Sequence, residues 1–212
     1  MRQETINANI SIVEALPDGV WAVRWDFKPK VDSDGNETGT YWYEEETYNW
    51  IPTIEDIQKT IINWFNKQTD SLIEHGFNWN GIDILLNDEN KFNYKAITDE
   101  AARREAAIVI WDENNPELAG VTYNKFYETD ENGNQMEVSV PTGRPISLLP
   151  ITLKLGQSNL PESFYTFATL NELQAFFASG VEHLINAYGA GWYKIATFDW
   201  TPYITALEEL NN

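Results

Sequence analysis

Acidic side chains are the residues of this sequence that offer most material for chemistry. The stretch "YEEET" sets Glu44, Glu45 and Glu46 side by side, and a glycoside hydrolase needs only two suitably spaced carboxyl groups. The chain contains 33 Asp and Glu among its 212 residues, however, so such clusters arise on any solvated surface. An enzyme acting on cell-wall sugar therefore stays a third hypothesis, without a particular catalytic pair.

Two histidines, His75 and His183, are the other candidates for acid–base work. Each lies near the polar end of a predicted helix, where an imidazole commonly interacts with the helix dipole. The sequence has no cysteine, no HExxH or GxSxG motif and no glycine-rich phosphate loop. We therefore predict a non-enzymatic protein with no catalytic residue, no metal ligand and no cofactor.

Two polar stretches look like the beginning of a calcium-binding loop. In "DSDGNE", from Asp32 to Glu37, oxygen-bearing side chains alternate before a glycine. The glycine comes too early for an EF-hand, and Tyr43 occupies the place of the bidentate acid. "DENGN" at Asp130 repeats the style. Both stretches are typical of polar turns, in which Asp, Asn and Gly allow positive φ and local hydrogen bonds.

Aromatic side chains supply the candidate binding surface. Trp42, Tyr48 and Trp50 lie on one predicted strand, with the parity opposite to that of Tyr41 and Tyr43, so both faces of this strand carry rings. One face must then cover a core or a partner. A protein-contact surface and a glycan-stacking platform are both open interpretations for Trp42, Tyr48 and Trp50.

The N-terminal part of the chain reads as β-structure. Alternate residues of "VWAVRWDF" are large and apolar, and they share one face of a strand because side chains alternate with a period of two. These residues are Trp21, Val23, Trp25 and Phe27. After a turn, "TYWYEEETYNW" returns as the second strand of a long hairpin. We assign residues 1–50 to this hairpin region and residues 51–212 to an α+β domain.

A long amphipathic helix is predicted to follow Pro52. Thr53 and Asp56 form a capping-box pattern at its start, and Gly76 supplies the stop. Its apolar stripe comprises Ile54, Ile57, Ile61, Trp64, Phe65, Gln68 and Leu72.

A small hairpin is predicted directly after this helix. Asn80-Gly81 is the strongest two-residue hairpin signal, and it sets Trp79 opposite Ile82 and Phe77 opposite Ile84. We expect the aromatic pair to lie on the buried face. Phe77, Trp79, Asn80 and Gly81 are therefore predicted to be structural residues.

The rest of the chain is predicted to add three helices, an inserted hairpin and further strands. Asn87 or Asp88 starts a helix to about Glu105, with four residues facing inward: Phe92, Ala96, Ile97 and Ala101. An inserted β-hairpin arm occupies about 107–147, and "PITLKLG" and "FYTF" are strands.

The C-terminal part is predicted to begin with a second capping box. Thr169 and Glu172 start a helix that ends at Gly189 or Gly191. Its inward residues are Leu170, Leu173, Phe177, Val181, Leu184 and Tyr188. "WYKIATFDW" is predicted as a last strand and "YITALEEL" as a short terminal helix.

These elements define an α+β fold class: antiparallel hairpins and a small sheet packed on two long amphipathic helices, with projecting β-hairpin arms. A formal net charge of -19 opposes binding to nucleic acid and to anionic lipid, since both require displacement of counterions by Lys and Arg. No apolar run approaches the length of a membrane span. We therefore expect neither nucleic acid nor a membrane as a partner.

Several segments carry a resemblance to a known family. They are the stretch from "PTIEDIQ" to "FNYKA", then "LPITLKLG", "YTFATLNEL", "EHLINAYGAGWYKI" and "FDW". These segments resemble a domain of unknown function that is common in tail-fibre, tail-assembly and other virion-associated proteins of tailed phages and prophages. The matching positions are Gly76, Phe77, Trp79, Gly81, Glu89, Phe92, Asn93, Lys95, Ala96, Gly191, Trp192 and Lys194.

The resemblance covers about residues 50–106 and 148–203. Members of the family pass almost directly from the first segment to the second, whereas this chain inserts its arm between them. The family brings no established catalytic residue. Phe92 and Trp192 are accordingly expected to be structural as well.

The resemblance implies a virion structural or tail-associated protein, such as a tail-fibre component or an assembly adaptor. Such a protein acts through contacts with other phage structural proteins. It also implies a homo-oligomer, made in the host cytoplasm and located in the virion. The alternative function is a receptor-directed glycan-binding module on the same particle.

Overall fold

The computed structural model describes residues 2–5 and 10–210, and it combines long helices with small antiparallel sheets. Of these described residues, 46% are helical and 28% are in strands, so the predicted α+β class is confirmed.

Two compact units make up the chain. Unit 1 consists of Met1–Asp70 and Tyr188–Asn212, and unit 2 consists of Ser71–Ala187. This division differs from the predicted boundary at residue 50. The N-terminal hairpin shares unit 1 with helical segments from both later parts of the chain.

A four-stranded antiparallel sheet forms the β-part of unit 1. Its strands are β1 (Arg2–Thr5), β2 (Val13–Ala15), β3 (Trp21–Val31) and β4 (Glu37–Tyr48), in the spatial order β1-β4-β3-β2. A short 3-10 turn, Pro17–Gly19, connects β2 to β3.

The predicted long hairpin is confirmed as β3–β4. At its turn, the Asp32 carboxylate accepts the backbone N–H groups of Asp34 and Asn36, each at 2.9 Å. This stretch is therefore a polar turn, in which the acid that could have bound calcium accepts hydrogen bonds from its own loop.

A β-bulge in β3 changes the side on which Phe27 lies. Asp26 adopts a φ of 56°, and the register with β4 shifts immediately after Trp25. Two residues then stand opposite one, so the alternation of side chains slips by one position. The Phe27 ring stacks on Tyr43, with centroids 5.5 Å apart. The prediction that Phe27 shares a face with Trp25 is therefore wrong.

Helix α1 (Ile54–His75) begins at the predicted capping box. The Asp56 N–H donates to Thr53 Oγ1 at 3.2 Å, and the Asp56 carboxylate accepts the Thr53 N–H at 3.0 Å. Gly76 ends the helix with a φ of 72°.

The apolar stripe of α1 is confirmed in its first half and wrong in its second. Ile57 and Ile61 are fully buried, whereas Gln68 and Leu72 are exposed. Thr69 and Ile73 are buried in their place. The two buried positions continue the four-residue steps from Ile61, whereas the predicted stripe took a three-residue step at this point.

Residues 192–200 form helix and connecting chain, so the strand predicted there is wrong. Helix α3 (Leu170–Ala196) runs past both Gly189 and Gly191, which also corrects its predicted end. Gly191 is buried, and a Cβ built on it would lie 2.2 Å from Thr69 Oγ1. The missing side chain thus admits a close approach of two helices rather than a helix end.

The core of unit 1 joins the sheet to α1 and to the predicted terminal helix, α4 (Thr201–Leu210). Its buried members are Val13, Val23, Trp25, Tyr48, Ile57, Ile61 and Tyr203. The Tyr203 hydroxyl donates to the backbone oxygen of Arg24 at 2.9 Å, which connects α4 to β3.

In unit 2, β5 (Phe77–Trp79) and β6 (Ile82–Ile84) form the predicted small hairpin. Phe77 pairs with Ile84 and Trp79 pairs with Ile82. Asn80 and Gly81 have φ values of 49° and 85°, as a two-residue primed turn requires. The register predicted from Asn80-Gly81 is therefore confirmed.

Helix α2 (Asp88–Asn114) starts at the predicted cap, where the Asn87 side chain accepts the Asn90 N–H at 2.8 Å. It continues nine residues beyond the predicted end at Glu105. The prediction had assigned most of this last segment to the inserted arm.

The predicted inward face of α2 is partly wrong. Ala101 is buried and Ile97 packs against the core, but Phe92 is 73% exposed and Ala96 is also exposed. Tyr94 takes the inward position and contacts Phe176 edge to face, at 5.0 Å between centroids. The assignment of Phe92 as a buried structural residue is therefore corrected.

The core of unit 2 is formed where two hairpins meet α2 and α3. The second hairpin pairs β9 (Ile151–Lys154) with β10 (Phe164–Phe167), as predicted. The buried members of this core are Ile84, Leu86, Tyr94, Ala101, Leu155, Phe167, Leu173 and Phe176. Phe77 and Trp79 pack against it.

Candidate functional site

A further hairpin of unit 2 has both of its faces open to solvent. Strands β7 (Tyr123–Thr129) and β8 (Gln135–Pro141) pair with each other, and every residue of β7 is exposed. All of β8 except Val138 is exposed as well. We call residues 121–142 the arm. The inserted hairpin is confirmed, although α2 extends into the range predicted for it.

One face of the arm carries four apolar side chains, together with Asn124 and Glu128. Because directly opposed residues share a face, Phe126 lies beside Val138, with Met136 and Val140 on the same side. The Met136 side chain is 53% exposed, and Phe126 and Val140 are exposed as well. We call Phe126, Met136, Val138 and Val140 the apolar face of the arm. Within the described chain this face meets solvent, so it is available to a partner.

The opposite face of the arm is amphipathic. Tyr123 and Tyr127 are exposed, and between them Lys125 Nζ lies 2.7 Å from a Glu137 carboxylate oxygen. This diagonal ion pair spans the two strands, and its hydrogen bond lowers the pKa of Glu137. Tyrosines are enriched at protein contacts, since the ring is apolar and its hydroxyl can bind water or a polar partner.

The turn of the arm repeats the β3–β4 turn. Asp130 Oδ1 accepts the backbone N–H groups of Asn132 and Asn134, each at 2.8 Å. Hydrogen bonds from Asn134, and then from the Asn132 N–H, lower the pKa of Asp130. The turn is thus held in one conformation by its own acid, as predicted for a polar turn.

The base of the arm is anchored to α2 by an arginine–carboxylate pair. Arg144 Nε and one terminal nitrogen each lie 2.7 Å from an oxygen of Asp112, which is a bidentate arrangement. This hydrogen bonding lowers the pKa of Asp112. Thr142 Oγ1 donates to the backbone oxygen of Val121 at 2.7 Å. These contacts therefore hold the base of the arm in place on the rest of unit 2.

The three aromatic residues predicted as a partner or glycan surface do not form one platform. Tyr48 is buried, and its hydroxyl bonds to Thr60 Oγ1 at 2.6 Å, so it is withdrawn from that surface. Trp42 carries cations near its ring: the Arg2 guanidinium carbon at 5.2 Å and Lys30 Nζ at 4.9 Å from the centroid.

Trp50 is the exposed member of the three, at 56%. Its ring meets Tyr48 edge to face, and its indole N–H donates to Asp56 at 3.3 Å. It is thus fixed at the start of α1, with part of its surface open.

The Asn80 side chain also makes a hydrogen bond outside its own turn. Its amide donates to the Tyr165 hydroxyl at 2.9 Å, and that hydroxyl in turn donates to Glu172. Glu172 also accepts the Ala168 N–H at 3.0 Å at the start of α3. The bond from Tyr165 lowers the pKa of Glu172. The acid therefore connects a helix start to the hairpin turn.

Trp192, expected to be structural, is 67% exposed and stacks on Tyr188 at 5.8 Å. Both rings lie on the surface of α3, so Trp192 contributes to a surface stack rather than to a buried core. His75 Nδ1 bonds to the backbone oxygen of Ser71 at 2.7 Å at the end of α1, as predicted for a C-terminal histidine. His183 lies within α3 rather than near its end, and its Nε2 bonds to the backbone oxygen of Leu72 at 3.1 Å.

The sequence located the arm, but the interpretation assigned none of its side chains to a site. The signal was present in the alternation on either side of "DENGN", which brings Phe126, Met136, Val138 and Val140 to one face once the register is known. That register follows from a five-residue turn, residues 130–134, which the Asp130 side chain closes by accepting the Asn134 N–H.

Within residues 2–5 and 10–210, no group of three His, Asp or Glu side chains is arranged to hold a metal ion. In the same ranges, none of the helices combines the length and the apolarity of a membrane span. Comparison with protein-family models, with curated proteins and with solved structures finds no match for this chain.

Proposed function

We propose that this chain is a non-enzymatic structural or assembly protein of a tailed-phage particle, and that it acts by placing its arm against a neighbouring protein. The observation that carries this proposal is the exposure of both faces of the β7–β8 hairpin. A two-stranded hairpin is marginal by itself in water, and its apolar side chains gain stability when a partner covers them.

The chemistry of the arm favours a protein as its partner. Interfaces are enriched in aromatic residues and Met, and the arm presents Tyr123, Phe126, Tyr127 and Met136 on a short segment. The outer strand edges also offer backbone N–H and C=O groups to an added strand. The aromatic side chains and the unpaired strand edges together allow a narrow arm to bury surface area against a partner, even though the arm has no large flat surface.

The phage setting rests on the resemblance of the segments around residues 50–106 and 148–203 to virion-associated proteins. The arm lies between these segments. In this proposal the shared segments build the body of the protein, and the arm provides the contact particular to this chain. Symmetric phage assemblies repeat one contact many times, so a homo-oligomer is part of the proposal.

A glycan-binding module has less support. A sugar platform needs aromatic faces that are free to stack, but Tyr48 is buried and cations lie near the Trp42 ring. Trp50 is the exposed residue among the three predicted for this role, whereas Trp42 is partly buried.

Site-specific photocrosslinking tests the proposed function. We would replace Phe126 by p-benzoylphenylalanine and produce this variant in cells that assemble the phage particle. The particles would then be irradiated, purified and analysed. The expected result is a crosslink from position 126 to a particle protein or to a second copy. The matched control is the same probe at Gln174, an exposed position on α3 outside the arm.

Equal crosslinking yields from positions 126 and 174 would contradict the proposal that the arm is the contact. Absence of the chain from both particles and assembly intermediates would overturn the phage function itself.

A further inference from the structure

Unit 2 contains an apolar pocket at a distance in sequence from the arm. Its volume is about 180 Å³, and its walls come from the small hairpin, α2 and α3. Aromatic rings of Phe77, Tyr94, Phe176 and Phe177 supply much of the lining, with Leu184 beside them. This apolar lining favours a hydrocarbon group of matching size.

A glycine in α3 shapes this pocket. Gly180 is buried and lines the cavity, and a Cβ built on it would lie 3.3 Å from Cε1 of Phe77. A larger residue here would push against the Phe77 ring. The pocket therefore depends on a bare stretch of helix backbone facing an aromatic ring.

Two ammonium groups mark the rim. Among the described residues that line the pocket, the charged ones are Lys91 and Lys95, one helical turn apart on α2. They lie beside each other in a chain of net charge -19, and each has an exposed aspartate of α2 as its partner. An anionic group at the mouth would meet both lysines, while its hydrocarbon part enters the pocket.

The present partners of these lysines are readily exchanged. Lys91 Nζ lies 3.0 Å from Asp88, whose side chain is fully exposed, and Lys95 pairs with the exposed Asp99. Exposed pairs within one helix are weak, because water screens them and two side chains must be ordered. A ligand carboxylate can therefore compete with either aspartate.

We propose that this pocket binds a small carboxylic acid that carries one aromatic ring or an aliphatic chain of about six carbons. A dry cavity of about 150 Å³ in another protein accommodates benzene, so the present volume suits a single ring. The carboxylate lies at the rim between Lys91 and Lys95, and the ring lies against Phe176 and Phe177. The site is separate from the arm, and its failure leaves the proposed function untouched.

The test uses 3-phenylpropanoate as the probe and 3-phenylpropan-1-ol as its neutral counterpart. Binding to the full chain is followed by the methyl NMR signals of Leu86, Val181 and Leu184, which line the pocket. We expect saturable shifts with a dissociation constant of roughly millimolar order, as ligands of this size give. The carboxylate should bind about three- to tenfold more tightly than the alcohol, given two exposed ionic contacts.

Replacing both rim lysines, by Lys91→Gln with Lys95→Gln, should remove this preference and leave the alcohol's affinity unchanged. Lys194→Gln, at an exposed lysine that does not line the pocket, is the control and should retain the preference. A second variant, Val181→Trp, should fill the pocket from its exposed rim and weaken both ligands.

Three results would overturn the proposal. They are unshifted pocket methyl groups at saturating probe in the folded protein, equal affinity for acid and alcohol, and an unchanged preference in the double lysine variant.

Discussion

Individual residues of this chain are best understood by what each side chain contacts, and the two tryptophans Trp79 and Trp192 form the clearest contrast. Trp79 packs against the core of unit 2, with its ring edge to face on Phe176 at 5.5 Å. Trp192 stacks on Tyr188 at the surface. Both are large aromatic residues in sequence motifs of similar appearance, yet their energetic roles differ.

We predict that Trp79→Ala lowers the free energy of unfolding by about 3 kcal/mol, because it removes an indole from a packed core and leaves a cavity. Trp192→Ala should change it by about 0.5 kcal/mol or less, since that ring is mostly exposed. Urea denaturation of the two variants measures the contrast. Equal stability of the two variants would contradict the assignment.

Glu100 gives a residue-scale prediction for pH. Hydrogen bonds from Arg103 and then Arg104 lower the pKa of Glu100 from 4.5 to about 2. A carboxyl group with a depressed folded-state pKa stabilises the fold fully above its unfolded pKa and loses that contribution as the pH falls through the folded value. The stability difference between wild type and Glu100→Gln should therefore be present at neutral pH and vanish near pH 2.

Carboxyl carbon NMR of Glu100 would give the titration midpoint directly. Arg103→Gln is the matched variant and should move that midpoint upward, toward 4.5. A midpoint that is unaffected by this substitution would exclude the guanidinium as the cause.

At the scale of elements, α3 shows how glycine acts within a helix. Gly189 has no neighbouring atom within 4 Å of a built Cβ, whereas a Cβ on Gly191 would lie 2.2 Å from Thr69 Oγ1. The same residue type thus has opposite consequences two positions apart.

We expect Gly189→Ala to stabilise the protein by about 0.5 to 1 kcal/mol, because alanine loses less backbone entropy in a helix. Gly191→Ala should destabilise it by about 1 to 3 kcal/mol, since the added methyl group overpacks the contact with α1. Thermal unfolding of the pair checks the signs. A gain in stability in both variants would contradict the close approach at Gly191.

We expect the rest of unit 2 to fold without the arm, because the strands of the arm are almost entirely exposed. Thr142 N–H donates to the backbone oxygen of Thr122 at 2.9 Å, so the chain ends left by removing residues 123–141 are already adjacent. Joining them by Asn-Gly gives a two-residue hairpin. We expect the melting temperature to stay within about 4 °C of the wild-type value, because few buried contacts are lost.

The same deletion should leave the folded chain absent from purified particles, because it removes the proposed contact. A loss of folding on deletion would show that the arm covers part of the body.

At the scale of the whole molecule, electrostatic repulsion is the dominant long-range effect. The net charge of -19 destabilises a compact state through self-repulsion. Salt screens it, because the Debye length falls from about 30 Å at 0.01 M to about 8 Å at 0.15 M. Raising NaCl over this range should raise the melting temperature. A lower melting temperature at high salt would mean that attractive ion pairs, such as Arg144 with Asp112, outweigh the repulsion.

The amino-acid sequence by itself determined the features that depend on neighbouring residues. The capping box at Thr53 and Asp56, the primed turn at Asn80-Gly81 and the Asp32 and Asp130 turns were all predictable, because each is made by groups a few residues apart. The α+β class followed from the same local patterns. So did the presence of the arm.

The tertiary structure alone decided features that depend on residues distant in the chain. A single bulge moves Phe27 to the other face of the sheet. Gly191 lies where two helices approach each other and does not end a helix. On α2, Tyr94 is buried and Phe92 is exposed. The exposure of the arm belongs to this class too. Periodicity identifies an apolar face, but only the packing of the remaining chain determines whether that face is covered, since the hydrophobic effect acts without regard to sequence distance.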